Sequence, residues 1–197
     1  MLPAKRQIVV ILTALWLTAV TVGMSLVVRH SNTVGAIGKS PSTWPLDCQI
    51  QQDAARNTLL MFIHPLCPCT RASLRELART LAQTGDRLDA YIVVFQPVNK
   101  PNNWSHTDLW NAATHIPGVK VISDVDSVIA FQFRVQTSGH VLLYDTTGQL
   151  RFSGGITAGR GHDGDNIGHS AIVSLVRGKG QYSNTCSVFG CPIVELK

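Results

Sequence analysis

Hydrophobic and polar positions divide the chain into stretches of different character. Ile8 to Val28 read IVVILTALWLTAVTVGMSLVV, 21 residues without a charge. As a helix this run spans roughly 30 Å, the hydrocarbon thickness of a bilayer. A cleaved leader has a shorter apolar region and a small-x-small cleavage site, and a buried core helix has a polar stripe. The pattern therefore predicts a membrane anchor over residues 1–30, with the span at 8–28. From Ser31 to Pro45 the apolar residues give way to Ser, Thr, Gly and Pro, the composition of a linker over 31–45. The folded domain is expected over 46–179, followed by a tail at 180–197 that carries two cysteines.

Within the domain the periodicity alternates. Thr58 to Ile63 (TLLMFI) is a continuous apolar run, the mark of a strand buried on both faces. Leu74, Leu77, Ala78 and Leu81 then repeat at helical spacing, with Gly85 just past the end as a cap. Ala90 to Phe95 predicts a second buried strand. Ser105 to His115 predicts a helix opened by Ser105 and Asp108 in capping-box spacing. Val119 to Ile122 reads as a short strand, and Asp124 as the cap of a helix running to Phe133. His140 to Tyr144 and Leu150 to Ser153 flank a polar turn, the signal of an antiparallel hairpin, and Ile167 to Arg177 closes the domain as a helix. This order predicts an α/β fold: a mixed sheet with helices on both faces, preceded by one transmembrane helix.

Composition narrows the function. Three of the 17 Lys and Arg (Lys5, Arg6 and Arg29) lie in the first thirty residues, leaving 14 basic against 12 acidic residues for the rest. That near balance excludes a nucleic-acid footprint. Lys5 and Arg6 with the amino terminus outweigh the charges beyond the span and predict a cytoplasmic N-terminus, with the domain outside the cytoplasm, in the periplasm of a two-membrane cell. The chain has no Gly-x-Ser-x-Gly, His-Glu-x-x-His or P-loop pattern, so hydrolase and nucleotide-triphosphate readings have no support.

The chemistry concentrates in His64-Pro-Leu-Cys-Pro-Cys-Thr70, which sets Cys67 and Cys69 one residue apart where a buried strand passes into an amphipathic helix. Unpaired N–H groups and the positive end of the helix dipole favour a thiolate there, and Pro68 suits the first turn. Arg71, Arg75 and Arg79 form a basic stripe that either adds positive potential or is simply solvated. Cys67 is expected to be the more exposed thiol and to attack, with Cys69 resolving.

TLLMFIHPLCPCTRASLREL and FRVQTSGHVLLYDTTGQLRFSGGI resemble the two halves of the thioredoxin-like superfamily over about residues 46–179. Within it the HPxCPC, TSGxVLLYD, GGIT and VFGCP stretches are similar to membrane-anchored RedB-type proteins. The resemblance implies a thiol-disulfide oxidoreductase acting on exported protein thiols or disulfides without a cofactor, held to membrane lipid by its helix. Two departures stand out. The cysteines are Cys-x-Cys rather than Cys-x-x-Cys, which closes a strained ring when oxidised. The place of the family's cis-proline is taken by Gly139, followed by His140, so Gly139 and His140 are the candidate substrate-binding positions.

A second reading starts from the same residues, since soft thiolates with imidazole suit Cu(I). His64, Cys67, Cys69 and His140 form that candidate copper set, and the plan resembles Sco-type copper-delivery proteins, whose cysteines are spaced differently. A non-catalytic thioredoxin-like binding module is the third reading. Cys186 and Cys191 either pair as a local disulfide, or Cys191 folds back to the thiol loop as a third redox or metal-binding thiol. Cys48 reads as a buried free thiol. Residues 154–169 hold six of the sixteen glycines. Their Gly-x-Gly-x-x-Gly lacks a following strand, and their Asp163 and Asp165 lack the remaining carboxylates of a calcium loop. Arg160 and His162 are the candidates there for anion or substrate binding.

Overall fold

Leu59 to Ile63 have no polar face because both faces are covered: each of the five is at most 1% exposed. In the computed structural model, which describes residues 3–179 and 183–193, this run is β1 (Asn57–Ile63), at the centre of a five-stranded sheet. β2 (Leu88–Gln96) lies parallel to it on one side and β3 (Val119–Val125) parallel to β2. On the other side β4 (His140–Tyr144) and β5 (Leu150–Gly155) run antiparallel, giving the order β3-β2-β1-β4-β5. Phe62 of β1 is in register with His140 of β4.

Alternate residues of β1 feed two cores. Leu59, Met61 and Ile63 pack with Leu74 and Leu77 of α2 (Thr70–Thr84) and with Ala171, Ile172 and Val176 of α5 (Ile167–Arg177). Leu109 and Ala113 of α3 (Asp108–Thr114) join the same side. Leu60 and Phe62 face the opposite core, made by Ile129 and Ala130 of α4 (Val128–Gln132), Phe133 and Tyr144. Trp44 sets its ring edge to face against Phe133 and Tyr144, both at 5.1 Å. Helices cover both faces, as the alternating pattern requires.

Several ends are fixed as their residues dictate. Gly85 follows α2 with φ of 57°, a value that strains any residue with a Cβ. Asn166 accepts the N–H of His169 at 2.8 Å and opens α5. Asp124 caps α4 from a distance, accepting the N–H groups of Ile129 and Ala130 at 2.8 and 2.9 Å, and α4 is only five residues long.

Three expectations are corrected. The Ser105–Asp108 capping box does not form: Ser105 is buried with its N–H given to Gln96 Oε1 at 3.1 Å, and α3 starts three residues later behind Thr107. The 31–45 stretch is not a free linker. Gly35 N–H bonds Val188 O at 2.8 Å, Thr137 Oγ1 donates to Ala36 O at 2.7 Å, Tyr144 donates to Pro41 O at 2.9 Å, and Thr43 bridges Gln149. Its small residues serve close approach rather than flexibility, since a Cβ on Gly38 would stand 1.7 Å from Arg134 O. The tail is likewise part of the fold from 183 to 193: Val188 is fully buried, Ile193 is 2% exposed, and Thr185 and Pro192 form bridges with Ser153 and Thr137.

Residues up to Thr33 form a separate unit, and the second unit begins at Val34. The first contains α1 (Ala4–Ser31), which covers the expected 8–28 span, has no buried residue and, among the described residues, is the one helix long and apolar enough to cross a membrane. Thr18, Thr21 and Ser25 each donate to the carbonyl one turn back at 2.8 Å, which satisfies their hydroxyls within the helix itself.

Candidate active site

The chain leaves β1 at Ile63, turns through His64-Pro65-Leu66 and enters α2 at Thr70, so Cys67 and Cys69 stand at the N-terminal end of that helix. Cys67 accepts at its backbone carbonyl from Thr70 N–H at 3.1 Å. From the opposite direction the tail brings a third thiol. Ser138 N–H donates to Cys191 O at 2.8 Å, Ile193 N–H to Gln136 O at 2.9 Å, and Thr137 pairs antiparallel with Pro192. Gly190 makes this approach possible, because a Cβ there would lie 1.9 Å from Ser138 O. The sulfurs of Cys67, Cys69 and Cys191 consequently lie within 4.8 Å of one another.

Exposure is distributed against the expectation for Cys67. It is 1% exposed, while Cys69 and Cys191 are half-buried. The cause is the returning tail together with Thr70 and Ser138, both buried, whose hydroxyls are 3.0 Å apart. Burial pushes the Cys67 thiol up. Hydrogen bonds from the Cys191 side chain and backbone, Thr70 and Ser138 outweigh it, and Cys67 ionises below the usual thiol range. The depression expected at this junction is present, with donors supplied mainly by side chains and by the tail. Cys69 moves the other way: burial and then the neighbouring Cys67 thiolate raise it, opposed by Arg160, which bonds its sulfur. Burial and the Cys67 charge push Cys191 up to about 12.

Arg160 is thus the cation at the thiols. The stripe on α2 is engaged elsewhere, Arg71 with Asp108, Arg75 with Asp163 at 3.4 Å, and Arg79 with Glu76 at 3.0 Å. His162, the other candidate of the glycine-rich segment, is exposed and turns its Nδ1 to Arg160 O at 2.8 Å. That segment is tied to α2 by Glu76, which is fully buried and accepts from Gly164 N–H at 2.8 Å and from Asn166 at 3.4 Å.

The remaining candidates separate from the cluster. His140 is fully buried, with Nε2 on Ser153 Oγ at 2.9 Å, and Gly139 is buried beneath Ser73 and Phe189. The proposed substrate grip at Gly139 and His140 is therefore corrected: the chain's own tail covers that loop. His64 accepts Leu66 N–H at 3.2 Å and packs its ring 5.4 Å from Phe95 and 6.0 Å from Trp104. Among the described residues, the cluster able to hold a metal contains neither histidine, so the ligand set His64, Cys67, Cys69 and His140 is not assembled. Cys186 does not pair with Cys191 and donates to Gly155 O at 2.9 Å. Cys48 is half-buried against the core that holds Tyr144.

Beside the thiols lies a cavity of about 550 Å³, walled by Val34, Ala36, Phe131, Val135, Pro192 and Arg160. Its walls are apolar apart from Arg160 and a few polar groups, a size and character suited to a small organic or side-chain guest.

No family model and no curated protein matches the sequence. Solved structures do. An uncharacterized conserved protein of Geobacillus kaustophilus has 16% identity and a TM-score of 0.60, over 83% of this chain and 93% of that one. A hypothetical protein of Sinorhizobium meliloti, SMc02350, has 17% identity and a TM-score of 0.57, over 83% and 94%. The exposed lipoprotein thioredoxin Etrx1 of Streptococcus pneumoniae has 17% identity and a TM-score of 0.47, over 64% and 86%. The chain therefore shares the fold of the Geobacillus and Sinorhizobium proteins, a mixed five-stranded sheet with helices on both faces. Ser138 and Thr70, the hydroxyls that hold Cys67, were not among the sequence candidates. Their signal is the polar Thr-Ser-Gly preceding β4 and the threonine directly after the second cysteine.

Proposed function

We propose that this chain is a membrane-anchored thiol-disulfide exchange protein of the RedB type, its domain outside the cytoplasm, in which Cys67 and Cys191 form the exchanging pair and Cys69 is a third thiol beside them. The observation that supports it most is the convergence of three sulfurs on one easily ionised, buried cysteine. The order of attack follows from exposure. In the oxidised protein a substrate thiolate attacks the half-buried Cys191 sulfur, the Cys191–Cys67 bond breaks, and Cys67 leaves as the stabilised thiolate. A second substrate thiolate then attacks the substrate sulfur of the mixed disulfide. The substrate leaves as a disulfide, and Cys191 leaves as a thiolate that takes up a proton. A low pKa makes Cys67 the better leaving group and favours the reduced form, so the protein acts as an oxidant of exported dithiols. Attack in the opposite sense requires a substrate disulfide to reach a sulfur that is 1% exposed. The apolar cavity beside Arg160 accommodates the flanking part of the substrate.

The test is stoichiometric oxidation of a reduced dithiol peptide by the full oxidised chain in mild detergent, with peptide mapping of the disulfide. A Cys67–Cys191 bridge is expected, with Cys67→Ser and Cys191→Ser both inactive and Cys69→Ser retaining turnover. Mapping a Cys67–Cys69 bridge, with Cys191→Ser as fast as wild type, would return the chemistry to the Cys-Pro-Cys loop alone. No exchange by any form of the protein overturns the reading.

A further inference from the structure

The three thiols have a geometry that thiol exchange does not require. Exchange needs two sulfurs in contact, whereas here three, from two distant parts of the chain, lie mutually within 4.8 Å. A metal with sulfur bonds of about 2.3 Å at the centre of a triangle places its ligands about 4 Å apart, inside that limit. We propose that the reduced protein binds one Cu(I) ion, coordinated by the sulfurs of Cys67, Cys69 and Cys191.

The donor set selects the ion. Three sulfurs, with no fourth ligating side chain in the cluster among the described residues, suit a soft monovalent ion in trigonal coordination, whereas Zn(II) takes four ligands. The surroundings are built for a negative cluster. Thr70, Ser138 and the Cys191 backbone stand around the Cys67 sulfur and favour its charged form, and Arg160 does the same for Cys69. Gly190 holds Cys191 in place by allowing the tail against Ser138. Binding is not a redox step: Cu(I) keeps its oxidation state, three copper–sulfur bonds form, and the protons still on the thiols pass to solvent. The site differs from a thiol and imidazole set, since His140 is fully buried against Ser153. It stands on the same reduced cysteines as the exchange reading and does not depend on exchange taking place.

The experiment is an anaerobic titration of Cu(I) into the full reduced chain in detergent, against a chromophoric Cu(I) chelator, followed by X-ray absorption at the copper edge. One copper per chain is expected, with three sulfur neighbours at about 2.3 Å. Cys191→Ser and Cys191→Ala should each weaken binding by roughly 100-fold or more, the upper end of what the loss of even an outer partner costs. Circular dichroism confirms that both variants are folded, and His140→Ala should bind as wild type. Copper that stays bound in both Cys191 variants, a nitrogen neighbour, a fourth ligand, or tighter binding of Zn(II) at the same site overturns the proposal, as does no capture from the chelator. Disulfide exchange without copper capture leaves the functional reading intact, and copper capture without exchange leaves the metal site.

Discussion

Cys67 and His140 sit at the same end of the packed sheet, one just beyond β1 and the other at the start of the antiparallel β4, and both are almost wholly removed from water. Their chemistry diverges. At Cys67 the desolvation is outweighed by donors from Thr70, Ser138 and Cys191, and the charged form is favoured. At His140 only Ser153 reaches Nε2, Nδ1 has no hydrogen-bond partner among the described residues, and burial lowers the imidazole to about 4. Burial alone keeps a group neutral. Burial with converging donors makes a reactive ion, which is why the thiol belongs to the site and the histidine to the core.

The largest effect expected from this contrast is acid sensitivity at His140. The unfolded chain binds a proton there near pH 6.5, whereas the folded chain does so only near pH 4. The native state therefore has its full advantage above pH 6.5 and loses it as pH falls toward 4, by up to about 3 kcal/mol. His169, also lowered by burial, adds to the slope in the same direction. Denaturation of the full chain in detergent at stepped pH should show this loss, and His140→Leu should flatten it. Parallel profiles for the two proteins would mean that the histidine is not isolated as described.

Next in size is the thiolate. Ser138→Ala removes one donor from Cys67 and should move its titration, followed by ultraviolet thiolate absorbance, up by about one unit, the worth of a hydrogen bond to a charged group of ~1.5 kcal/mol. Ser138 Oγ also accepts His64 N–H at 2.9 Å, so Thr70→Val serves as the second variant, expected to shift in the same direction. An unmoved titration in both would assign the depression to the tail alone.

The contrast also marks what the sequence could reveal. Strands β1, β2 and β4 and helices α2 and α5 were legible because their periodicity is local, and Ile167–Arg177 lies where the pattern puts it. The Cys-Pro-Cys loop at a strand-to-helix junction was legible for the same reason. The burial of Cys67 was not, because Ser138 and the returning tail, which cover it together with the nearby Thr70, are distant in the sequence. The linker expectation failed through composition: glycine and serine at 35–42 look flexible in a sequence, yet Gly35 and Gly38 are there to let backbone lie against Thr137 and Arg134. The Ser105 cap failed because Gln96 took its N–H in the folded chain.

The smallest expected effect is at Cys186, five residues from Cys191 in the same tail, and it tests whether position rather than residue type makes the site. Its thiol is raised by burial, and its sulfur donates to Gly155 O at 2.9 Å among glycines too tight for a larger side chain, a Cβ on Gly154 standing 2.8 Å from that sulfur. Serine keeps the donor and the volume, so Cys186→Ser should change stability by no more than about 1 kcal/mol, the net worth of one such bond. Alkylation kinetics of Cys67 should be unchanged in that variant. A slowed Cys67 reaction would show that the tail transmits its packing to the thiol cluster, and Cys186 would then have to be counted among the groups that hold Cys191 in reach.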